Sequence, residues 1–307
     1  MSLNILVTGG AGYIGSHAVR ELVRQGYKVT VVDNLSKGYK AAVDETAAFF
    51  EIDLADTVAL EKRFLEHQFD AVMHFAGSIE VGLSMVDPAL FFMYNVLNGL
   101  HLLEAMRKAK VKNIIFSSTA AVYGDPVEIP IREESPTCPT NFYGQSKLMF
   151  EELLQKYEQL FGFHFVTLRY FNACGADMSG EIGQAYTPDT HLIPFTLKTA
   201  LGQYETLKIN GDDYPTFDGT CIRDYIHVSD LVDAHILALN YLLKHEKSEV
   251  FNLGNGNGFS VKQVVEEAEK VVGRKITVEV KGRRAGDPAI LIADASKAKK
   301  MLGWQPK

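Results

Sequence analysis

The segment Tyr143-Gly144-Gln145-Ser146-Lys147 sets a phenol and an ammonium four residues apart. In a helix those positions share one face. A phenol with a pKa of ~10 is a poor base at neutral pH, and lowering it by ~3 units takes about 4 kcal/mol. One ammonium ~4 Å away supplies about that much at an effective dielectric of ~20. The expected chemistry is therefore a tyrosinate that takes the proton of a hydroxyl. Tyr204 and Lys208 repeat the spacing. They straddle a strand-like stretch, where i and i+4 do not form that face, and no suitable hydroxyl precedes them. Before Tyr143, by 24 residues, Ser117-Ser118-Thr119 ends a strand-like run. Ligands of α/β sheets bind at the carboxyl ends of strands. Thr119 is thus expected to hydrogen-bond the same substrate oxygen as Tyr143.

A second device stands at the N-terminus. Thr8-Gly9-Gly10-Ala11-Gly12-Tyr13-Ile14-Gly15 lies between an apolar run and an amphipathic one. Glycines let the backbone turn tightly and approach a pyrophosphate, while the following helix supplies N–H donors and a positive dipole end. Asp33 ends the next strand, 18 residues beyond Gly15. An acid there suits a ribose diol and repels a 2′-phosphate, so NAD is expected rather than NADP. Gly254-Asn255-Gly256-Asn257-Gly258 is also glycine-rich, but it lacks the third glycine spacing and an acid-ended strand after it. It reads as a turn before a helix capped by Ser260.

These groups need a scaffold. Asn4–Thr8, Lys28–Val32, Phe49–Ile52, Ala71–Phe75, Asn113–Phe116 and Phe165–Leu168 are nearly continuous apolar runs, as strands covered on both faces require. Helical patterns alternate with them at 16–25, Leu90–Met106 and Phe142–Phe161. That rhythm predicts an α/β fold with a doubly wound parallel Rossmann sheet. After about residue 175 the rhythm breaks into loops at 176–192 and 210–221, helices at 230–245, 260–272 and near 294–302, and a strand at Ile276–Val280. The expected division is a nucleotide-binding domain over 1–175 and a smaller α/β substrate domain over 176–307. Strands near Tyr225–Val228 and Val250–Leu253 are candidates to return to the first sheet, which would interleave the boundary.

Composition narrows the partners. The chain has 307 residues and a net charge of −7, with 47% hydrophobic and 22% charged residues, which is ordinary globular usage. The acidic balance disfavours nucleic acid and anionic membranes. No apolar run reaches the ~18–20 residues of a membrane span, and the N-terminus has no basic signal-peptide region. Cys138, Cys174 and Cys221 are too few and too scattered for a disulfide or zinc framework. They are expected to be buried, reduced thiols of a cytoplasmic protein. No two histidines lie three to five residues apart, and no metal site is expected.

Together, the 8–15 loop, the Asn95 helix, Ser117–Thr119 and Tyr143/Lys147 resemble the extended short-chain dehydrogenase/reductase superfamily. Nearly the whole chain is similar to the UDP-galactose 4-epimerase family. Carrying this are Phe75-Ala76-Gly77, Ser118-Thr119-Ala120-Ala121-Val122-Tyr123-Gly124, Tyr170-Phe171-Asn172, His191-Leu192-Ile193-Pro194, Asp218 to Tyr225 and Arg283 to Asp287. The resemblance implies that Thr119 and Tyr143 face the sugar 4-hydroxyl and that Lys147 holds the nicotinamide ribose. It implies NAD contacts from Gly9, Gly12, Tyr13, Ile14, Gly15, Asp33, Asn34, Leu35, Asp53, Leu54, Phe75, Ala76, Gly77, Asn95 and Phe171, besides Tyr143 and Lys147. It implies UDP-sugar contacts from Asn172, His191, Leu192, Asn210, Arg223, Arg284 and Asp287. Guanidinium forks such as Arg223 and Arg284 match phosphate oxygens.

The implied reaction is redox-neutral. Tyr143 takes the 4-hydroxyl proton, C4 gives hydride to NAD, and hydride returns to the other face of a transient 4-keto sugar. The long helices near 90–108 and 142–161 resemble a homodimer interface. Some positions depart from the family. Ile79 replaces a cofactor-contacting Lys of some members, and Asn210 replaces an aromatic ring against uracil. Leu291 replaces a pocket-closing Tyr, which leaves room that N-acetylated sugars could use. The chain ends at Lys307, short of a usual member. A dehydratase or decarboxylase of the superfamily would carry acids after Thr119, where this chain has Ala120 and Ala121. A non-catalytic NAD-binding regulator would tend to lose Tyr143 or Lys147. Another epimerase of the superfamily remains an alternative.

Overall fold

The computed structural model describes residues 2–186, 191–284 and 286–307. Its first half runs β1 (Asn4–Thr8), α1 (Tyr13–Arg24), β2 (Lys28–Asp33), β3 (Ala48–Glu51), α2 (Thr57–Glu66), β4 (Ala71–His74), α3 (Val81–Ser84), α4 (Pro88–Phe91), α5 (Asn98–Ala109), β5 (Asn113–Thr119), α6 (Phe142–Phe161) and β6 (His164–Tyr170). The second half adds β7 (Asn172–Cys174), α7 (Leu192–Ala200), β8 (Leu207–Asn210), β9 (Ile222–His227), α8 (Val228–His245), β10 (Glu249–Leu253), β11 (Gly258–Ser260), α9 (Val261–Val272), β12 (Val278–Lys281), β13 (Ile290–Leu291) and α10 (Ser296–Leu302).

Seven parallel strands form the main sheet in the order β10-β6-β5-β4-β1-β2-β3. Alternate side chains leave opposite faces of a strand. Ile5 and Val7 therefore enter one core with α1, α8 and α10, whereas Leu6 enters the other with α2, α5 and α6. Burial on both faces explains the unbroken apolar runs. The chain order reverses between β1 and β4, and a reversal opens a crevice at the strand ends where ligands bind. The expected doubly wound sheet is present.

Three expectations need correction. The strand near Tyr225–Val228 does not rejoin this sheet. β9 starts earlier, at Ile222, and pairs with β7, β11 and β13 in a second sheet. Val250–Leu253 does return, as β10 beside β6. The helix expected over Leu90–Met106 is not uniform, because a π-helical stretch, Phe92–Leu97, separates α4 from α5. Of the thiols only Cys221 is buried. Cys174 is half-buried and Cys138 is exposed, and all three are free.

Local chemistry fixes the element ends. Asn141 caps α6, its side chain accepting from Gly144 N at 2.8 Å, and Gly162 closes it with φ 65°. Ser260 caps α9 in a reciprocal capping box with Gln263, as anticipated. Gly254-Asn255-Gly256 is a turn fastened by Asp224, whose carboxylate accepts from Asn255 N and Gly256 N. Among the described residues no helix is long and apolar enough to cross a membrane, and no cluster of His, Cys, Asp or Glu could hold a metal.

Candidate active site

The loop between β1 and α1 distinguishes two kinds of glycine. A Cβ on Gly9 would lie 2.5 Å from Ala76 N, and one on Gly15 would lie 2.1 Å from Gly9 O. Those glycines let backbone pack on backbone, and Gly9 also holds φ +75°. A Cβ on Gly12 would meet only Gly9 O, at 3.3 Å. Gly12 is the N-cap of α1 and gives the helix's first N–H groups no side-chain partner. Helix N-termini of this kind bind anions. At the end of β2, Asp33 accepts from Ala11 N at 3.0 Å and from Leu35 N at 2.8 Å. Leu35 there takes φ 56°. Asn34 donates to Asp53 at 2.7 Å, and Leu54 is buried behind it. The donor set and the missing Cβ at Gly12 fit a dinucleotide.

At the end of β4, Phe75 N and Ala76 N both donate to Thr8 O. Gly77 lies against Asn95, whose Oδ1 would be 2.6 Å from a Cβ. Asn95 is buried in the π-helical stretch. It accepts from Ser78 N at 2.7 Å and donates to Ser78 O at 3.0 Å and Ser146 Oγ at 2.9 Å. It thus ties the β4 loop to α6, one residue from Lys147. A cavity of about 150 Å³ joins Leu35–Tyr39 and Gly77–Glu80 to Tyr186 and His191. It brings the expected cofactor loops against one expected substrate residue. Tyr13 reinforces that junction, its hydroxyl donating to Gly175 O at 2.7 Å.

Tyr143, Lys147 and Thr119 meet where β5 ends. All three are buried. The electrostatics differ from the sequence expectation. Burial pushes the Tyr143 phenol up to about 12, and the side chain that opposes this is Thr119, through a hydrogen bond. Lys147 donates instead to Ser117 O at 3.0 Å, and its own burial lowers it to about 8. Burial therefore outweighs the help from the ammonium that spacing alone suggested. Spacing cannot show how far the pair is removed from water, and desolvation is the largest influence on both groups.

The remaining candidates flank this centre. Phe171 is buried beside Ala120 and Leu291. Asn172, on β7, donates to Asp224 O at 3.2 Å. Arg223, on β9, is buried and pairs with Asp287 at 2.5 Å, so two expected UDP ligands are partners of each other. Thr140 and Asn141 donate to Gly286 O at 3.2 and 3.4 Å, which fastens Gly286 to the start of α6. Leu192 opens α7 and Asn210 ends β8, both half-buried, and Arg284 is exposed. The structure brings Arg223 and Asp287 together and leaves Arg284 on the surface. Sequence reasoning missed Tyr186, whose ring stacks on His191 at 5.6 Å, and Lys37, which lines the cavity and pairs with Glu80 at 3.1 Å. Neither lies in a recognisable motif.

The profile of the NAD dependent epimerase/dehydratase family matches residues 5–254. A UDP-glucose 4-epimerase of Halalkalibacterium halodurans is 51% identical over 303 residues, covering 99% of this chain and 90% of that protein. The crystal structure of UDP-glucose 4-epimerase from Bifidobacterium longum in complex with NAD+ and UDP superposes with a TM-score of 0.94 at 41% identity, over 99% of this chain and 93% of that one. The UDP-Glc/GlcNAc 4-epimerase of Campylobacter jejuni does so with a TM-score of 0.86 at 47% identity, over 100% and 94%. The chain belongs to the NAD dependent epimerase/dehydratase family.

Proposed function

We propose that this protein is an NAD-dependent UDP-glucose 4-epimerase that inverts C4 of UDP-glucose and UDP-galactose. The observation that carries the reading is the pairing of Tyr143 with Thr119 at the end of β5, next to a pyrophosphate cradle and with Ala120 and Ala121 following. Bound NAD would supply the hydride acceptor at C4 and a positive ring beside Tyr143. Tyr143 takes the 4-hydroxyl proton and later returns it. Thr119 holds the same oxygen. Lys147 anchors the end of β5 through Ser117 and would hold the nicotinamide ribose. Asp33, Asn34 and Asp53 grip the adenosine end. Arg223 and Arg284 bind the diphosphate, with Asn172, His191, Leu192, Asn210 and Asp287 around the UDP-sugar.

In this reading residues 1–175 bind NAD and 176–307 bind UDP-sugar, with β10 returned to the first sheet. The assembly is a homodimer, and the exposed Met93, Tyr94, Leu97 and Phe142 support that part. A monomer by sedimentation would remove it. Leu291 is buried beside Phe171, and its modest size favours a second specificity for N-acetylated UDP-sugars. Tyr143→Phe tests the main reading. It should nearly abolish turnover of UDP-galactose while NAD stays bound, and normal turnover would overturn the assignment.

A further inference from the structure

Tyr143, Lys147 and Glu151 stand one helical turn apart on α6, and each meets one of three consecutive residues ending β5. Thr119 bonds Tyr143, Ser117 O accepts from Lys147 Nζ at 3.0 Å, and Ser118 Oγ donates to Glu151 Oε1 at 2.5 Å. The first two contacts belong to the site already described, and the third does not. Glu151 is 2% exposed and accepts the guanidinium fork of Arg169 from β6, at 2.6 Å to Nη2 and 3.1 Å to Nε. Arg169 Nη1 donates onward to Tyr123 OH at 3.0 Å and Glu133 O at 3.3 Å. Tyr123 OH donates to Asn252 Oδ1 at 2.7 Å. A buried ion pair rarely stabilises a fold more than apolar residues of the same volume would. One placed a turn from Lys147 and one residue from Thr119 has a use in the site.

We propose that Glu151, held by Arg169, is a positioning residue: it fixes Ser118 so that Thr119 aims at the substrate oxygen, and it sets a carboxylate one helical turn from Lys147. The inference rests on the function proposed above. The groups that act on Lys147 come from three elements: His74 from β4, Glu151 from its own helix, and the Phe116 ring from β5 at 4.9 Å. Burial pushes His74 down to about 3, so it stays neutral. Tyr143 in turn adds to the burial that pushes up Tyr170, on β6. Burial lowers Lys147 to about 8, and Glu151 is the charge that opposes this. Arg169 lies beyond Glu151, and its positive charge offsets part of the Glu151 field at Lys147.

The test uses holoenzyme with 13C at the lysine ε-carbons, assigned with Lys147→Arg. In Glu151→Gln the titration midpoint of Lys147 should fall by about one pH unit or more. The alkaline limb of kcat should fall with it, while KM for UDP-galactose stays within about twofold. Glu151→Asp, which keeps the charge, should leave the midpoint where it was. If Glu151→Gln fails to fold, the pair Glu151→Gln with Arg169→Gln is read against Arg169→Gln alone, because those two differ only in the Glu151 charge. A Lys147 midpoint unmoved in the Gln variant, or moved equally by Asp and Gln, overturns the proposal. Wild-type protein that fails to turn over UDP-galactose overturns the functional reading instead, and the NMR midpoints separate the two failures.

Discussion

Two glycines of the first loop should fail in opposite ways when given a methyl group. Gly15 sits inside α1, where Gly→Ala ordinarily gains about 1 kcal/mol. Here the new Cβ would stand 2.1 Å from Gly9 O and 2.9 Å from Gly10 Cα, well inside ordinary contact, and both obstacles are backbone. Gly15→Ala should therefore lose roughly 3 kcal/mol or more of stability. At Gly12 the backbone has φ −79° and ψ 176°, which alanine adopts freely, and the added Cβ meets only Gly9 O at 3.3 Å. Gly12→Ala should cost about 0.5–1 kcal/mol as a poorer N-cap. The same methyl would occupy the space through which a pyrophosphate reaches the helix N-terminus. NAD affinity should fall by at least about 100-fold, or about 2.7 kcal/mol. Urea unfolding and calorimetric titration with NAD read the two quantities separately. NAD binding at wild-type strength in Gly12→Ala would refute the cradle, and wild-type stability in Gly15→Ala would refute the packing argument.

Leu291→Tyr should remove turnover of N-acetylated UDP-sugars while leaving UDP-galactose turnover within about tenfold, because the larger ring fills sugar space rather than touching C4. Parallel assays on the two substrates check this, and equal loss of both would refute it. Acid should destabilise the fold through buried histidines. Burial lowers His74 to about 3 and His235 to about 4 from an ordinary 6.5. Above pH 6.5 both are neutral, folded or unfolded, and their contribution is complete. Below it the unfolded chain binds protons that the folded chain refuses, so stability falls by up to about 1.4 kcal/mol per pH unit for each. That loss runs down to about pH 4 for His235 and about pH 3 for His74. Urea midpoints between pH 7 and pH 5 should show the decline and a His74→Gln/His235→Gln variant should flatten it; an unchanged slope in that variant refutes the assignment.

Legibility followed the range of the interactions. β1 and α6 begin and end where the apolar periodicity, Asn141 and Gly162 put them, since local sequence suffices there. The Gly9–Gly15 loop and the Tyr143/Lys147 pair were visible for the same reason. The π-helical stretch at Phe92–Leu97 was not, because one widened turn barely changes the apolar stripe and its anchor, Asn95, bonds to Ser78 and Ser146 far along the chain. β9 was misplaced because Arg223 and Asp224 hide a short strand whose neighbours β7, β11 and β13 are only two or three residues long. The burial that acts on Tyr143 is not legible in the spacing, because desolvation is a property of the packed fold. Glu151 and Arg169 lie 18 residues apart on different elements, and nothing in their spacing marks them as a pair.

The central claim is that C4 is inverted by hydride that leaves and returns within one site while Tyr143 carries only the hydroxyl proton. Proton NMR of C4 during conversion of UDP-galactose by the purified protein in D2O, with no cofactor added, tests it most directly. The account predicts UDP-glucose whose C4 still bears protium. Deuterium at C4, or no inversion by protein that holds NAD, would contradict it.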